Sequence, residues 1–361
     1  MSGKENEKIL MKGNEAIAEA AIRAGCTAYF GYPITPQNEI IAYMADHLLE
    51  MGRVFIQAES EVAAINMVYG AASTGVRAMT SSSSPGISLK QEGISYCAGA
   101  DLPFVYVNIV RGGPGLGSIA PAQSDYMQST RGGGHGDYRV IVLAPASVQE
   151  CADLTYLAFD LADKWRMPVL ILADGVIGTM MEGVALPPMR DLASLPDKSD
   201  WAVGGMYKTG RAARHITSIN LVPAQLEQKV FSRFDRYAKM AEAEVRFEEV
   251  QCDDAELVIV AYGTSARVAL GAVHEARSKG LKVGLLRPIS LYPFPEKKLE
   301  ALANAGKKFL VVEMSMGQML QDVRLSIHDK VPVSLIPHVG GVVPTEEEVF
   351  EKAKEILGGK K

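Results

Sequence analysis

Gly31-Tyr32-Pro33-Ile34-Thr35-Pro36 is the stretch on which the reading of this chain turns. A short apolar run, Ala28-Tyr29-Phe30, precedes it and a helical pattern opening on Gln37-Asn38-Glu39 follows, so it reads as strand, turn, helix. Proline fixes its own φ and biases the residue before it towards extended backbone, so Tyr32 and Thr35 are both held out of the helical region and the turn is stiff. With Pro36 as first helical residue, Thr35 falls at the N-cap, where its hydroxyl satisfies an orphan N–H of the first turn. These residues leave two readings open. Thr35 is a cap and nothing more, or the helix end, with its free N–H groups and its dipole, is an anion site at which the hydroxyl holds a carboxylate.

The same alternation continues outward. A helix is expected before the turn, with Asn14 as N-cap and Gly25 as C′ residue. After it come a helix over 37–51, a strand over 54–57, a helix over 61–74, a strand over 77–81, a helix near 88–99 and the apolar strand Phe104–Val110. Strands over 140–143 and 169–172 flank a helix over 147–164. Strands alternating with helices predict an α/β fold with a parallel sheet covered on both faces, whose functional loops lie at the carboxyl ends of the strands. The regularity fails over residues 186–252, read as a connector containing a charged helix from about 225 to 248. From 253 to 361, strands at 257–261, 283–286, 309–312 and 333–336 predict a smaller doubly wound unit, with Thr345 and Glu348 as capping box of its last helix.

Composition narrows the function. The chain has 361 residues, 48% hydrophobic and 22% charged, with a net charge of −5, which argues against general nucleic-acid binding. No apolar run reaches the roughly 20 residues of a membrane span, and the polar start Met1 to Lys8 lacks a signal-peptide core, so a cytoplasmic protein is expected. Cys26, Cys97, Cys151 and Cys252 form no C-x-x-C pair and have no histidine at ligand spacing, so no metal site is assigned to this chain and buried thiols are expected.

Three loops at the expected rim carry candidate chemistry besides Thr35. Glu59-Ser60-Glu61 opens a helix of small residues; a carboxylate there is either a dipole partner or a functional group. Arg111-Gly112-Gly113-Pro114-Gly115-Leu116-Gly117 follows the apolar strand, and an arginine so placed can grip a carboxylate through its planar fork, or serve as a surface ion-pair partner. Arg131 to Asp137 contains His135, a weaker candidate for a proton donor. Thr80 to Gly86 is rich in hydroxyls but has no G-x-S-x-G elbow, which argues against a serine hydrolase.

Taken in order, Tyr-Pro-Ile-Thr-Pro at 32–36, Glu-Ser-Glu-x-Ala-Ala at 59–64, Val-Arg-Gly-Gly-Pro at 110–114 and Gln123-Ser124-Asp125 resemble the alpha subunit of 2-oxoacid:ferredoxin oxidoreductases. The resemblance covers nearly the whole chain and is nearest to the branched-chain, 2-oxoisovalerate type, by the run Gly112 to Gln123 and Gly132 to Gly136. It implies a pyrimidine-type thiamine diphosphate domain over 1–185 and a transketolase C-terminal-like domain over 253–361. It also implies the activity: oxidative decarboxylation of a 2-oxoacid to an acyl-CoA, with ferredoxin reduced. In such sites a glutamate hydrogen-bonds the pyrimidine ring nitrogen N1′; Glu61 matches it, Thr35 and Arg111 match the substrate-carboxylate positions, and Tyr32, Pro33 and Ile34 fall on the cofactor-facing turn.

What the sequence lacks points to partners. It has no Gly-Asp-Gly followed by an asparagine to hold Mg²⁺ and the diphosphate, and no cysteine cluster for iron–sulfur centres. The resemblance therefore implies a beta subunit sharing the thiamine diphosphate, and gamma and ferredoxin-like subunits; Mg²⁺ and the iron–sulfur clusters sit on partners. The loop Pro114 to Gln123 offers no cation for a second carboxylate, which favours an apolar side chain such as that of 3-methyl-2-oxobutanoate; 2-oxoglutarate or pyruvate as substrate of the same machinery is the alternative. The competing reading is a non-catalytic subunit whose sheet rim is only an interface.

Overall fold

The computed structural model describes residues 8–204, 210 and 213–358. Fourteen strands fall into three sheets among the described residues. A two-stranded antiparallel ribbon pairs β1 (Ile9–Lys12) with β8 (Met181–Val184). The larger sheet contains β2 (Ala28–Gly31), β3 (Val54–Gln57), β4 (Ala78–Ser82), β5 (Phe104–Val110), β6 (Ile141–Leu143), β7 (Pro168–Asp174) and β12 (Ser290–Tyr292), in the order β12-β6-β7-β5-β4-β2-β3. Its strands are parallel except β12, which runs antiparallel to β6. Helices α1 (Gly13–Arg23), α2 (Asn38–Glu50) and α6 (Val148–Trp165) cover one face, and α3 (Glu61–Ser73) and α4 (Ser84–Gly99) the other. With helices on both faces, β5 is buried along its whole length; hence a sequence apolar but for Asn108, where an alternating one would mark a half-exposed strand.

The smaller sheet holds β9 (Phe247–Val250), β10 (Leu257–Val260), β11 (Val283–Pro288), β13 (Lys308–Glu313) and β14 (Val333–Pro337), in the order β14-β13-β10-β11-β9. Two short helices, α5 (Tyr126–Thr130) and α7 (Gly175–Thr179), lie in the larger half, and α8 (Pro223–Ala243) follows it. Helices α9 (Gly263–Ser278) and α12 (Glu346–Gly358) pack on one face of the smaller sheet; α10 (Glu296–Asn304) and α11 (Gln318–Ile327) pack on the other. That second face shares a continuous apolar core with α3 and α4, so Val258 and Phe309 of the smaller sheet belong to the same cluster as Ile65 and Ile94.

The structure departs from the sequence reading at several places. Residues 186–252, read as connector, contain β9, an antiparallel edge strand of the smaller sheet; its Phe-Glu-Glu-Val is too polar to mark a strand unaided. Residues 205–209, 211 and 212 of that stretch lie outside the described residues. Helix α8 is a fixed part of the larger half: Arg233 binds Asp101 at 3.0 Å, and Tyr237 and Met240 enter the core with α1 and α6. Strand β12, from the second half of the sequence, closes the first sheet. Asn14 is not an N-cap, since α1 begins at Gly13 with Lys12 at the N-cap, two residues earlier. The last helix has half a capping box: Thr345 Oγ1 accepts the Glu348 N–H at 3.2 Å, while the Glu348 carboxylate meets His338 Nε2 at 2.7 Å.

One buried glutamine ties the halves together. Gln123, 2% exposed, donates from Nε2 to the Tyr262 carbonyl at 2.8 Å and accepts at Oε1 from Ser265 Oγ at 3.0 Å and Met314 N at 2.9 Å. Replacing it by leucine leaves those groups buried without partners, at about 1–3 kcal/mol for a stranded polar group. Gln123→Leu is therefore expected to lower the melting temperature by several degrees; a calorimetric scan that overlays the wild type would show that the halves are held by apolar contact alone.

Candidate functional site

The turn after β2 does not cap its helix as the sequence suggested. Helix α2 starts at Asn38 and Gln37 occupies the N-cap position, so Pro36 is not its first helical residue and Thr35 is not its cap. The cause is the pull on Gln37, fully buried, whose Nε2 donates to the Tyr32 carbonyl at 3.2 Å and whose Oε1 accepts from Ser81 Oγ at 2.5 Å. Ser81 Oγ in turn accepts from the Tyr29 hydroxyl at 2.6 Å, so a chain of polar groups fixes the turn to the sheet floor. From the far side Asn14 Nδ2 donates to the Pro36 carbonyl at 2.8 Å. Thr35 is exposed, with its hydroxyl 3.4 Å from Asn38 Nδ2; Tyr32 and Pro33 are exposed and Ile34 half-buried.

Arg111, 8% exposed at the end of β5, reaches this turn. Its Nη1 donates to the Thr35 carbonyl at 3.0 Å and its Nη2 to the Leu116 carbonyl at 3.2 Å, while Nε is buried with no partner. The structure thus joins Arg111 to the turn that carries Thr35. The Arg111 backbone N–H and carbonyl both bond to Ser84 Oγ, at 3.2 and 3.3 Å, which fixes the arginine to the first turn of α4. That helix starts at Ser84, four residues earlier than its pattern suggested, so the hydroxyl-rich stretch supplies the end of β4 and the start of α4. Asn108 Oδ1 accepts the Ser84 N–H at 3.0 Å, and its Nδ2 donates to Asp125 Oδ2 at 2.8 Å; burial pushes the Asp125 carboxyl up from its usual range.

Glu61 lies on the same side of the sheet. Ser60 is the N-cap of α3, accepting from Ala63 N at 3.2 Å, and Glu59 is exposed, so of the two glutamates only Glu61 turns inward. It is 6% exposed, and no group among the described residues hydrogen-bonds its carboxylate. Oε1 packs on Gly86, where an added Cβ would come within 2.5 Å of it and 2.1 Å of Ser82 Oγ. The Ser82 and Ser83 hydroxyls are likewise buried and unpartnered. Buried polar groups are normally hydrogen-bonded, so this cluster of orphans at the strand ends marks a place where a ligand supplies the partners. A buried carboxylate can share a proton with a ring nitrogen, and a guanidinium anchored on two carbonyls can hold an anion.

Sequence reasoning missed Gln37, Asn108 and Lys90, the last fully buried with its Nζ donating to Thr80 Oγ1 at 2.8 Å and the Ser81 carbonyl at 2.9 Å. For Lys90 a signal existed: it lies three and four residues from Gly93 and Gly86 on a helix whose small residues announce close packing. His135 is exposed, edge-on to Tyr96 with ring centroids 6.0 Å apart, and is not among the groups gathered around Glu61 and Arg111. The four cysteines are buried and unpaired. No helix among the described residues is long and apolar enough to cross a membrane.

Comparison with known proteins adds the following. Residues 19–251 match the family model described as pyruvate flavodoxin/ferredoxin oxidoreductase, thiamine diphosphate-binding, and residues 255–349 match pyruvate:ferredoxin oxidoreductase core domain II. The ketoisovalerate oxidoreductase subunit VorB of Methanothermobacter thermautotrophicus is 52% identical over 97% of this chain and 98% of its own. The 2-oxoglutarate synthase subunit KorA of Methanocaldococcus jannaschii is 38% identical over 94% and 97%. Among solved structures, the 2-oxoglutarate:ferredoxin oxidoreductase of Magnetococcus marinus, with 2-oxoglutarate, coenzyme A and succinyl-CoA bound, superposes with a TM-score of 0.86 at 27% identity, covering 98% of this chain and 66% of that one. A split-gene transketolase, 14% identical with a TM-score of 0.59, covers 96% of this chain and 98% of its own and shares the fold.

Proposed function

The chain belongs to the pyruvate flavodoxin/ferredoxin oxidoreductase family, and we propose that it is the subunit carrying the pyrimidine side of the thiamine diphosphate site in an enzyme that oxidises 3-methyl-2-oxobutanoate to its acyl-CoA. The observation that carries this reading is Glu61, a buried carboxylate without a hydrogen-bond partner among the described residues, packed on Gly86 together with the orphaned Ser82 hydroxyl. The residues fit the aminopyrimidine of the cofactor: Glu61 would meet its ring nitrogen, with the turn Tyr32, Pro33 and Ile34 alongside. When bound, thiamine diphosphate supplies the carbon nucleophile and the electron sink for loss of carbon dioxide. What the chain itself does is narrower. Glu61 holds or gives up a proton at the ring nitrogen, Arg111 grips the substrate carboxylate with its unpartnered Nε, and Thr35 closes the same anion site beside it.

The substrate side chain is read from the loop after Arg111. Leu116, Ile119 and Ala120 are apolar and no cation stands among them, so the loop suits an isopropyl group and offers nothing to a second carboxylate. The 52% identity to a ketoisovalerate oxidoreductase subunit agrees with this. Val62, Leu89, Leu116 and Ile119 are exposed around the site, which supports a partner subunit seated over it. That beta subunit would bring the diphosphate half with Mg²⁺, and ferredoxin-like and gamma subunits the remaining parts and the iron–sulfur clusters, in a cytoplasmic complex. The test is coenzyme A-dependent viologen reduction by the purified complex with four 2-oxoacids. The branched acid is expected to lead pyruvate and 2-oxoglutarate by about tenfold or more in kcat/KM, the scale of a few methylenes in an apolar pocket; a preference for the dicarboxylic acid would overturn the apolar-loop argument.

A further inference from the structure

Positive charge gathers at the end of the larger sheet away from Glu61 and Arg111. Glu61 follows β3 and Arg111 follows β5, at the carboxyl ends of parallel strands, whereas Asp101 precedes β5 and Arg166 precedes β7, at the amino ends. Trp201 and three residues of α8, Lys229, Arg233 and Arg236, join Asp101 and Arg166 around a cavity of about 460 Å³, a volume within the range of small-ligand sites. Asp101 is the one acid among the described residues that line it, against Arg166, Lys229, Arg233 and Arg236. Four cations and one carboxylate leave a formal excess of three positive charges.

The chain answers only part of this charge. The Asp101 carboxylate accepts from Arg233 Nε at 3.0 Å and Nη2 at 3.4 Å, and from Arg236 Nη2. Arg233 Nη2 also donates to the Gly99 carbonyl at 3.0 Å, at the end of α4, so the work of Arg233 is to fasten α8. Arg166 has no such partner. It forms neither an ion pair nor a hydrogen bond among the described residues, and its guanidinium lies over the Trp201 ring, 4.4 Å from the centroid. Arg166 Nε and Arg236 Nε are both buried without an acceptor. A guanidinium has five N–H donors and buried polar groups are normally satisfied, so these two call for an acceptor from outside the chain. Burial holds the Arg166 guanidinium below its usual range; the Arg236 charge adds to this, while Asp101 and Asp200 oppose it.

We propose that this cavity binds a phosphate dianion, free or as the monoester of a small organic molecule, between Arg166 and Arg236. The planar forks of the two arginines match the oxygens of a phosphate, and a dianion offsets two of the three excess charges where a carboxylate would offset one. A phosphate group fills only part of the cavity, which leaves room for the organic part of an ester. The inference is independent of the function proposed for Glu61, since the two places lie at opposite ends of the strands.

The experiment is calorimetric titration of the full chain, free of cofactor, with inorganic phosphate, with ribose 5-phosphate, and with ribose as the uncharged control. Both phosphates are expected to bind and ribose is not. Tighter binding of the ester identifies a phosphate monoester as the ligand, and equal affinity identifies free phosphate. Arg166→Met and Arg236→Met should each weaken binding by about tenfold or more, the scale of one lost hydrogen bond to a charged group. Arg111→Ala, which removes the anion grip at the other end of the sheet, should bind phosphate as the wild type does. Absence of phosphate binding in the wild type overturns the proposal, as do affinities unchanged in both Arg166→Met and Arg236→Met. Loss of binding in Arg111→Ala also overturns it, by placing the ion at the substrate corner. The wild-type and Arg111→Ala titrations decide the matter even if the other two variants do not fold.

Discussion

Glu61→Gln is expected to fold and assemble but to lose about 10²- to 10⁴-fold in turnover, the range associated with removing a positioned acid or base. Glutamine keeps the shape and can still accept a hydrogen bond, so packing against Gly86 survives; what it cannot do is exchange a proton with a ring nitrogen. The substitution therefore separates a proton-handling carboxylate from one that merely sits well at a helix start, where the interaction with the dipole amounts to about 0.3–1 kcal/mol. Steady-state rates of the complex, paired with sizing to check assembly, make the measurement. Turnover within twofold of wild type would return Glu61 to the status of a dipole partner and leave the non-catalytic reading standing.

Arg111→Ala is the second large effect. A hydrogen bond to a charged group contributes about 1.5–3 kcal/mol, so loss of the guanidinium should reduce kcat/KM for the 2-oxoacid by about 10- to 100-fold. The damage should fall on the oxoacid and spare the KM for coenzyme A, since Arg111 is tied to the Thr35 and Leu116 carbonyls within one corner of the site. Equal losses for both substrates would mean that the variant has loosened the turn in place of removing a contact. Arg111→Lys helps to tell the two apart, because lysine keeps the charge but cannot reproduce the planar fork.

The contrast between Thr35 and Gln37 shows how much of this site was legible in the sequence and where legibility stopped. The strand before the turn, the helix after it and the side of the sheet on which both open follow from apolar periodicity and from proline, which are local. The cap was lost because Gln37 makes its decisive hydrogen bonds with Ser81 and the Tyr32 carbonyl, and the first of these partners lies 44 residues away and enters no local rule. Glu61 and Arg111 could be nominated for the same reason that the strands could: each directly follows a recognisable strand. Lys90 was passed over, since a lysine in a helix is ordinarily solvated and its one local hint was the pair of glycines on its face; the packing of α4 onto β4 is what buries it. The short polar strand β9 and the returning β12 escaped because their pairing partners, β11 and β6, define them more than their own composition does.

The return of β12 to the first sheet bears on how such a chain can be inherited. Two sheets joined only by a linker could be exchanged between relatives as interchangeable pieces, with a surface to match and nothing more. Here the second half carries the strand that finishes the first half's sheet, so a recombinant that took its halves from different parents would have to agree in strand register along β6 as well as in surface shape. Descent with the halves together is the outcome this architecture favours.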